Sequence, residues 1–363
     1  MTDRTSDALA LGQRIVAVLE TGRRTATYKL ATLMALVDHC VEHRPEDPRD
    51  RLDIPIRALA DRVIDLYWRQ VLPLHGFGEL RQSSNQQARI PAAVLSLRAA
   101  ARKQTVSFEL ARERAPAAYE RAVGAVALTL VQQPLHRLQR LPGEQGRRAF
   151  LYDDSWMHDH VSASEMARQG ATITLFPFVA ADLARLAGLL KPTLEILWVQ
   201  DVMRMNASLR EDSVDLTAHL FGRGRVPLGR VRTAYFEEFG AHCFYCNRGL
   251  SSWDPVDHLL PWSRVGIDGL ANLVTACRGC NASKSGSLPA VGLVTLALAR
   301  PVAVLDRLGR EIEWPVQRER TGLAARGLFL SSPAGTPLWQ GRNAFAAVDT
   351  FDLGSLDVRY DAS

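Results

Sequence analysis

The chain has 363 residues, 47% hydrophobic and 23% charged, with a net charge of +5 and a pI of about 9.1. This is too long for one small core and apolar enough to bury a large one, so two to three domains are expected. No apolar run reaches the roughly 18 residues of a membrane span, so no membrane partner is expected, and the mild basic surplus favours anionic partners without naming one.

The N-terminal stretch shows no basic-then-apolar signal pattern, so a cytoplasmic location is expected. Residues 7–46 predict two helices, with Leu11, Ile15, Val18 and Leu19 on one face of the first and Leu30, Leu33, Leu36 and Val37 on one face of the second. Gly22 ends the first, and the basic link from Gly22 to Lys29 is expected to be a solvated turn. Cys40 falls on the apolar pattern and is expected to be a buried thiol. A third helix spans Pro55 to Gln70, with Tyr67 and Trp68 expected in the core. Residues 81–90 are loop-like, and helical patterns resume from Pro91 to Arg102 and from Ala115 to Leu138.

Pro, Gly and charge together at 142–146 mark a boundary. The β-branched and aromatic runs Phe150–Tyr152 and Ala171–Phe176 predict two short strands. His158 and His160, among three aspartates, are expected to form a surface loop and not a metal site. From Ala180 to about Leu209 the pattern predicts a core helix pair broken at Pro192. The Gly- and Arg-rich stretch 221–230 is a linker, followed by a helix from Val231 to Phe239. Residues 289–331 predict two or three helices separated at Pro301 and Pro315, and 332–363 an irregular tail with a helix or turn near Trp339. The expected division is a helical N-terminal domain at 1–145, a mixed then helical region at 146–225 that can continue the first, a small module at 226–290, and a helical C-terminal extension at 291–363.

The chemistry is concentrated in that module. Cys243/Cys246 and Cys277/Cys280 are two Cys-x2-Cys pairs thirty residues apart. Four thiolates in a chain without an export pattern point to one structural Zn2+, a closed tetrahedral sulfur set that leaves no open position for catalysis, with an iron–sulfur cluster as the alternative. Between the pairs, Asp257 offers a hard oxygen ligand and His258 a base of near-neutral pKa, with Pro261 fitting a bend that would let neighbouring side chains serve one site. Asn272 precedes an apolar pair and is placed to fix the loop through its side chain. Residues 278–285 suit a short helix capped at Gly286, presenting Asn281 as a second oxygen ligand and Lys284 as a cation for a phosphate. Arg264 is a candidate phosphate clamp, while Trp253 and Trp262 are expected to pack the module.

The pattern Cys243-x2-Cys246, Asp257-His258-x2-Pro261, Asn272-Leu-Val, Cys277-x2-Cys280-Asn281-x2-Lys284 resembles an HNH endonuclease module over about 50 residues. The resemblance implies a ββα-metal, treble-clef-like zinc module inside a mainly α chain, α+β overall. It implies His258 as general base, Asp257 and Asn281 as ligands of a catalytic Mg2+ or Mn2+, Asn272 orienting the His258 loop, and products with 5′-phosphate and 3′-hydroxyl ends. Position 281 carries Asn where the family name has His, a familiar variant. The expected partner is nucleic acid, double-stranded DNA first, in a bacterial restriction or phage-defence role, with a homo-oligomer open. Two alternatives stand beside it: a zinc module that binds nucleic acid without cutting, and an RNA-directed or toxin-like nuclease.

Overall fold

The computed structural model describes residues 7–20, 24–84, 88–102, 107–141, 149–209, 215–221 and 228–347. Gly22, the boundary signal at 142–146 and most of the 221–230 linker lie outside them. Contacts gather the chain into two units, Met1–Cys40 with Arg44–Gly224, and Val41–His43 with Arg225–Ser363. The sequence left open whether 146–225 continues the N-terminal domain; the contacts gather the chain on both sides of 145, up to Gly224, in the first unit. One reason is a strand pairing across that point: β1 (Leu52–Pro55) runs antiparallel to β2 (Thr172–Leu175) in the register Leu52↔Leu175. The expected strand at 150–152 makes only a single bridge, Tyr152↔Leu175.

The first unit is helical: α1 (Ala8–Glu20), α2 (Tyr28–Glu42), α3 (Ile56–Gln70), α4 (Arg89–Ala100), α5 (Phe108–Arg114), α6 (Pro116–Leu130) with a π-helical continuation at Val131–Leu135, α7 (Ala163–Arg168), α8 (Val179–Met205) and α9 (Leu216–Phe221). The inward face of α3 carries Ile56, Leu59, Val63, Tyr67 and Trp68, so the aromatic pair belongs to the core, as does Cys40. Burial pushes the Cys40 thiol far up and leaves it inert. Helix α8 runs through Pro192 without a break, where a break was expected. Its buried positions stay in register on both sides, from Leu183 and Ala187 through Leu190 and Leu194 to Trp198 and Val202, so packing outweighs the lost bond. The carbonyl deprived of its donor belongs to Gly188, an exposed residue that water can reach. Lys191, next to that proline, is buried and donates to Asp38 of α2 at 2.7 Å. His158 pairs with Glu165 at 3.4 Å, and no group of three ligands forms around it among the described residues.

The second unit holds α10 (Gly229–Phe239), β3 (Val256–His258), α11 (Trp262–Val265), β4 (Leu273–Thr275), α12 (Arg278–Lys284), α13 (Val291–Leu298), α14 (Val302–Glu311), α15 (Arg318–Ser331), β5 (Pro337–Gly341) and β6 (Ala344–Ala347). β3 and β4 are antiparallel with Asp257↔Val274 and His258↔Leu273, and α12 follows directly, giving the ββα order. The expected helix or turn near Trp339 is instead the β5–β6 hairpin. Its Trp339 is fully buried, exchanges backbone hydrogen bonds with Leu288 and Ala290, and donates its indole N–H to Ser283 Oγ at 3.0 Å. The hairpin thus completes the core beneath α12. Trp253 does not pack the module; it is 79% exposed. No helix among the described residues is long and apolar enough to cross a membrane.

Candidate active site

The cysteine knuckles are set by backbone geometry. Asn247 takes a left-handed φ of 57°, which turns the first knuckle so that Cys243 N–H reaches Arg248 O at 2.8 Å. Phe244 N–H then donates to Thr275 O at 2.8 Å, and Thr275 Oγ1 to His242 O at 2.9 Å, fastening the knuckle to β4. Cys277 caps α12, its sulfur accepting from Cys280 N–H at 3.4 Å. The four sulfurs lie within 4.8 Å of one another, and Cys246 and Cys277 are 3.8 Å apart. Zinc–sulfur bonds of about 2.3 Å at tetrahedral angles separate sulfurs by about 3.8 Å, so the set fits Zn2+. Burial opposes the Cys277 thiolate, but donation from Cys280 N–H and the neighbouring thiols outweighs it and brings that thiol down to about 7. Cys243 and Cys280 are pushed up, first by burial and then by the neighbouring thiols.

Asp257 and His258 follow the strand alternation and face different partners. Asp257 is buried; its Oδ2 accepts from Tyr245 O–H at 2.7 Å and pairs with Lys284 Nζ at 3.0 Å. Burial, and then the Asp257 charge, hold the Tyr245 phenol well above its usual range, so it stays a donor. Tyr245 in turn packs edge-on against Trp339, with ring centroids 4.8 Å apart. Lys284 Nζ also donates to His258 O at 2.7 Å, so one ammonium ties both members of the dipeptide to α12. This corrects the expectation for Lys284. At 1% exposed it points into the module and cannot meet a phosphate.

His258 stands at the end of β3, half-buried, with Nε2 2.7 Å from Asp268 Oδ1. Asn272 is fully buried. Its Oδ1 accepts from Leu260 N–H at 2.8 Å, and its Nδ2 donates to Leu260 O at 3.2 Å and Ile267 O at 2.9 Å. Leu259 N–H adds a 2.7 Å bond to Asn272 O. The chain leaving His258 is therefore clamped to the segment leading into β4.

Asn281 is half-buried on α12, and no hydrogen bond holds its side chain among the described residues. Among the described residues, one oxygen of Asp257 and the Asn281 amide thus have no hydrogen-bond partner, and such hard donors suit Mg2+ or Mn2+. The helix ends at Lys284, one residue short of the expected Ser285 end, and Ser285 takes the cap position expected of Gly286. Ser285 adopts φ 46°, ψ −127°, and Ser287 N–H bonds to Lys284 O at 2.9 Å. That is a type II′ turn with Ser where Gly is preferred. Arg264 is half-buried on α11, and burial lowers its pKa.

The sequence reading missed Tyr245, Trp339 and Asp268. It also missed how deeply the extension beyond 290 enters the site. Arg300 donates to the carbonyls of Leu273 at 2.9 Å, Ala271 at 2.8 Å and Leu270 at 3.2 Å, and Tyr235 O–H reaches Leu270 O at 2.6 Å. These bonds brace the residues around Asn272. Tyr245, enclosed in Cys-Phe-Tyr-Cys, gave one usable signal: a phenol beside a ligand pair has its position fixed by the metal site.

Comparison with known proteins is consistent with this geometry. The family model described as HNH endonuclease matches residues 243–287, which hold the four cysteines, Asp257, His258, Asn272, Asn281 and Lys284. The model described as Domain of unknown function (DUF8808) matches residues 7–220. A search of curated proteins and a search of solved structures each returned no match. With more than half of its length so matched, the chain belongs to the DUF8808 family, and it carries an HNH endonuclease module at its four-cysteine centre.

Proposed function

We propose that this chain is a metal-dependent endonuclease that hydrolyses phosphodiester bonds in double-stranded DNA, and that it serves bacterial restriction or phage defence. The observation that carries the cleavage reading is the placement of His258. It ends β3 with one ring nitrogen on Asp268 and, among the described residues, no hydrogen-bond partner on the other, while Lys284 holds its carbonyl and Asn272 the chain that leaves it. In this reading Nδ1 accepts a proton from the water that attacks the phosphorus. A divalent cation held by Asp257 and Asn281 would neutralise charge developing on the phosphate and on the leaving 3′-oxygen. The zinc centre takes no part in the chemistry; its four sulfurs fix the ends of the segment that carries the active residues. The basic net charge of +5 suits a polyanionic substrate.

A second reading, a zinc module that binds nucleic acid without cutting, draws on the Asp257–Lys284 pair, since an internal partner already occupies one oxygen of that carboxylate. Incubating the purified chain with supercoiled plasmid, methylated plasmid and RNA, each with Mg2+ or Mn2+, separates the two. Nicking of plasmid that is lost in Asn281→Ala supports the proposal. Tight binding with no cleavage of any substrate supports the second reading.

A further inference from the structure

We propose that Asp268 is the positioning residue of His258, and that a strap from the C-terminal extension, Trp314 to Gln317, holds it in place. The inference rests on the nuclease reading and adds to it residues that the zinc and dipeptide motif does not contain.

A neutral imidazole carries one N–H, and a carboxylate can only accept. With Nε2 2.7 Å from Asp268 Oδ1, the proton must sit on Nε2. The lone pair is then on Nδ1, ready to take a proton from water. Once it does so, the imidazolium that forms is already paired with a negative charge. Asp268 thereby selects the reactive tautomer, aims the ring and stabilises the protonated product of the step.

A carboxylate that is 40% exposed does not hold such a pose unaided. Here the backbone on both sides is fixed. On one side, Ile267 O accepts from Asn272 Nδ2 at 2.9 Å. At the residue itself, Asp268 O accepts from the Trp314 indole N–H at 2.7 Å. On the other side, Leu270 N–H donates to Pro315 O at 2.9 Å and Ala271 N–H to Val316 O at 3.0 Å. The approach of the two segments depends on Gly269, where a Cβ would lie 2.6 Å from Val316 O and 2.5 Å from Gln317 Cβ. Asn272, which also binds both Leu260 backbone groups, links the exit of the His258 strand to the Asp268 loop. The strap and Asn272 together make the distance between ring and carboxylate a property of the fold.

The test uses the full chain loaded with zinc, as wild type, Asp268→Ala, Asp268→Asn and Trp314→Phe. Plasmid nicking gives kcat and KM. The long-range proton–nitrogen spectrum of the His258 ring, identified by difference against His258→Gln, gives the tautomer. Asp268→Ala is expected to lower kcat about 10- to 100-fold with KM and zinc content unchanged, and to replace the Nε2–H signature with mixed tautomers. Asp268→Asn and Trp314→Phe are expected to fall between. Unchanged kcat in Asp268→Ala, a rise in KM alone, or an Nε2–H signature that survives the substitution overturns the proposal. If the wild type cuts nothing yet shows the Nε2–H signature that Asp268→Ala removes, the nuclease reading fails while the positioning geometry stands.

Discussion

Replacing Lys284 with Met separates two accounts of that residue. The structure makes it an internal pin, 1% exposed, bonded to His258 O at 2.7 Å and paired with Asp257 at 3.0 Å. Methionine keeps the volume and removes the charge. Breaking a buried pair by deleting one partner costs about 3–5 kcal/mol, because the other charge is left buried. Asp257 keeps its bond from Tyr245, which favours the lower end, while His258 O loses its donor at a further cost of about 1 kcal/mol. The expected loss is about 3–4 kcal/mol. Urea titration followed by zinc release to a chromogenic chelator reports on the module alone. At urea concentrations where the variant is folded, the salt dependence of its DNA binding should match the wild type. Wild-type stability together with a salt slope reduced by about one unit would falsify the pin and restore a phosphate contact.

Other substitutions probe the remaining supports. Cys277→Ser should leave the chain with no tightly bound zinc by metal analysis and abolish nicking at any Mg2+ concentration. Asn272→Ala strips three hydrogen bonds from buried backbone groups. It should cost the module about 3 kcal/mol by the same zinc-release titration. Trp339→Ala should cost about 3–5 kcal/mol, showing that the hairpin belongs to the module core. Ser285→Gly should stabilise by about 1 kcal/mol, because φ 46° with ψ −127° suits glycine. A destabilised Ser285→Gly would show that the serine side chain does something the turn geometry does not explain.

What the sequence disclosed depended on whether a pattern is local. The cysteine pairs, the Asp257–His258 dipeptide and the Asn272 clamp are close in sequence, and their spacing alone implied the zinc set and a fixed loop. The inward faces of α1, α2 and α3 were equally plain, since three- and four-residue spacing carries the burial pattern. Lys284 was misjudged because helical spacing says which residues share a face, not whether that face looks outward. Pro192 was taken as a break because the rule is local, while the buried stripe that overrides it comes from tertiary packing. The link from Trp339 through Tyr245 to Asp257 and the strap from Trp314 to Asp268 join residues 94 and 46 positions apart, counting Tyr245 to Trp339 and Asp268 to Trp314. No periodicity records such contacts. The fold class and the four-cysteine cluster were therefore legible, while the residues that buttress the site were not.

The most direct measurement compares plasmid nicking by the wild type and by His258→Ala under single-turnover conditions in Mg2+, with zinc content matched. The account predicts cleavage by the wild type and a fall of about 100-fold or more in the variant, the contribution of a general base, with DNA binding retained. Equal cleavage by the two proteins would remove His258 from the chemistry and contradict the account.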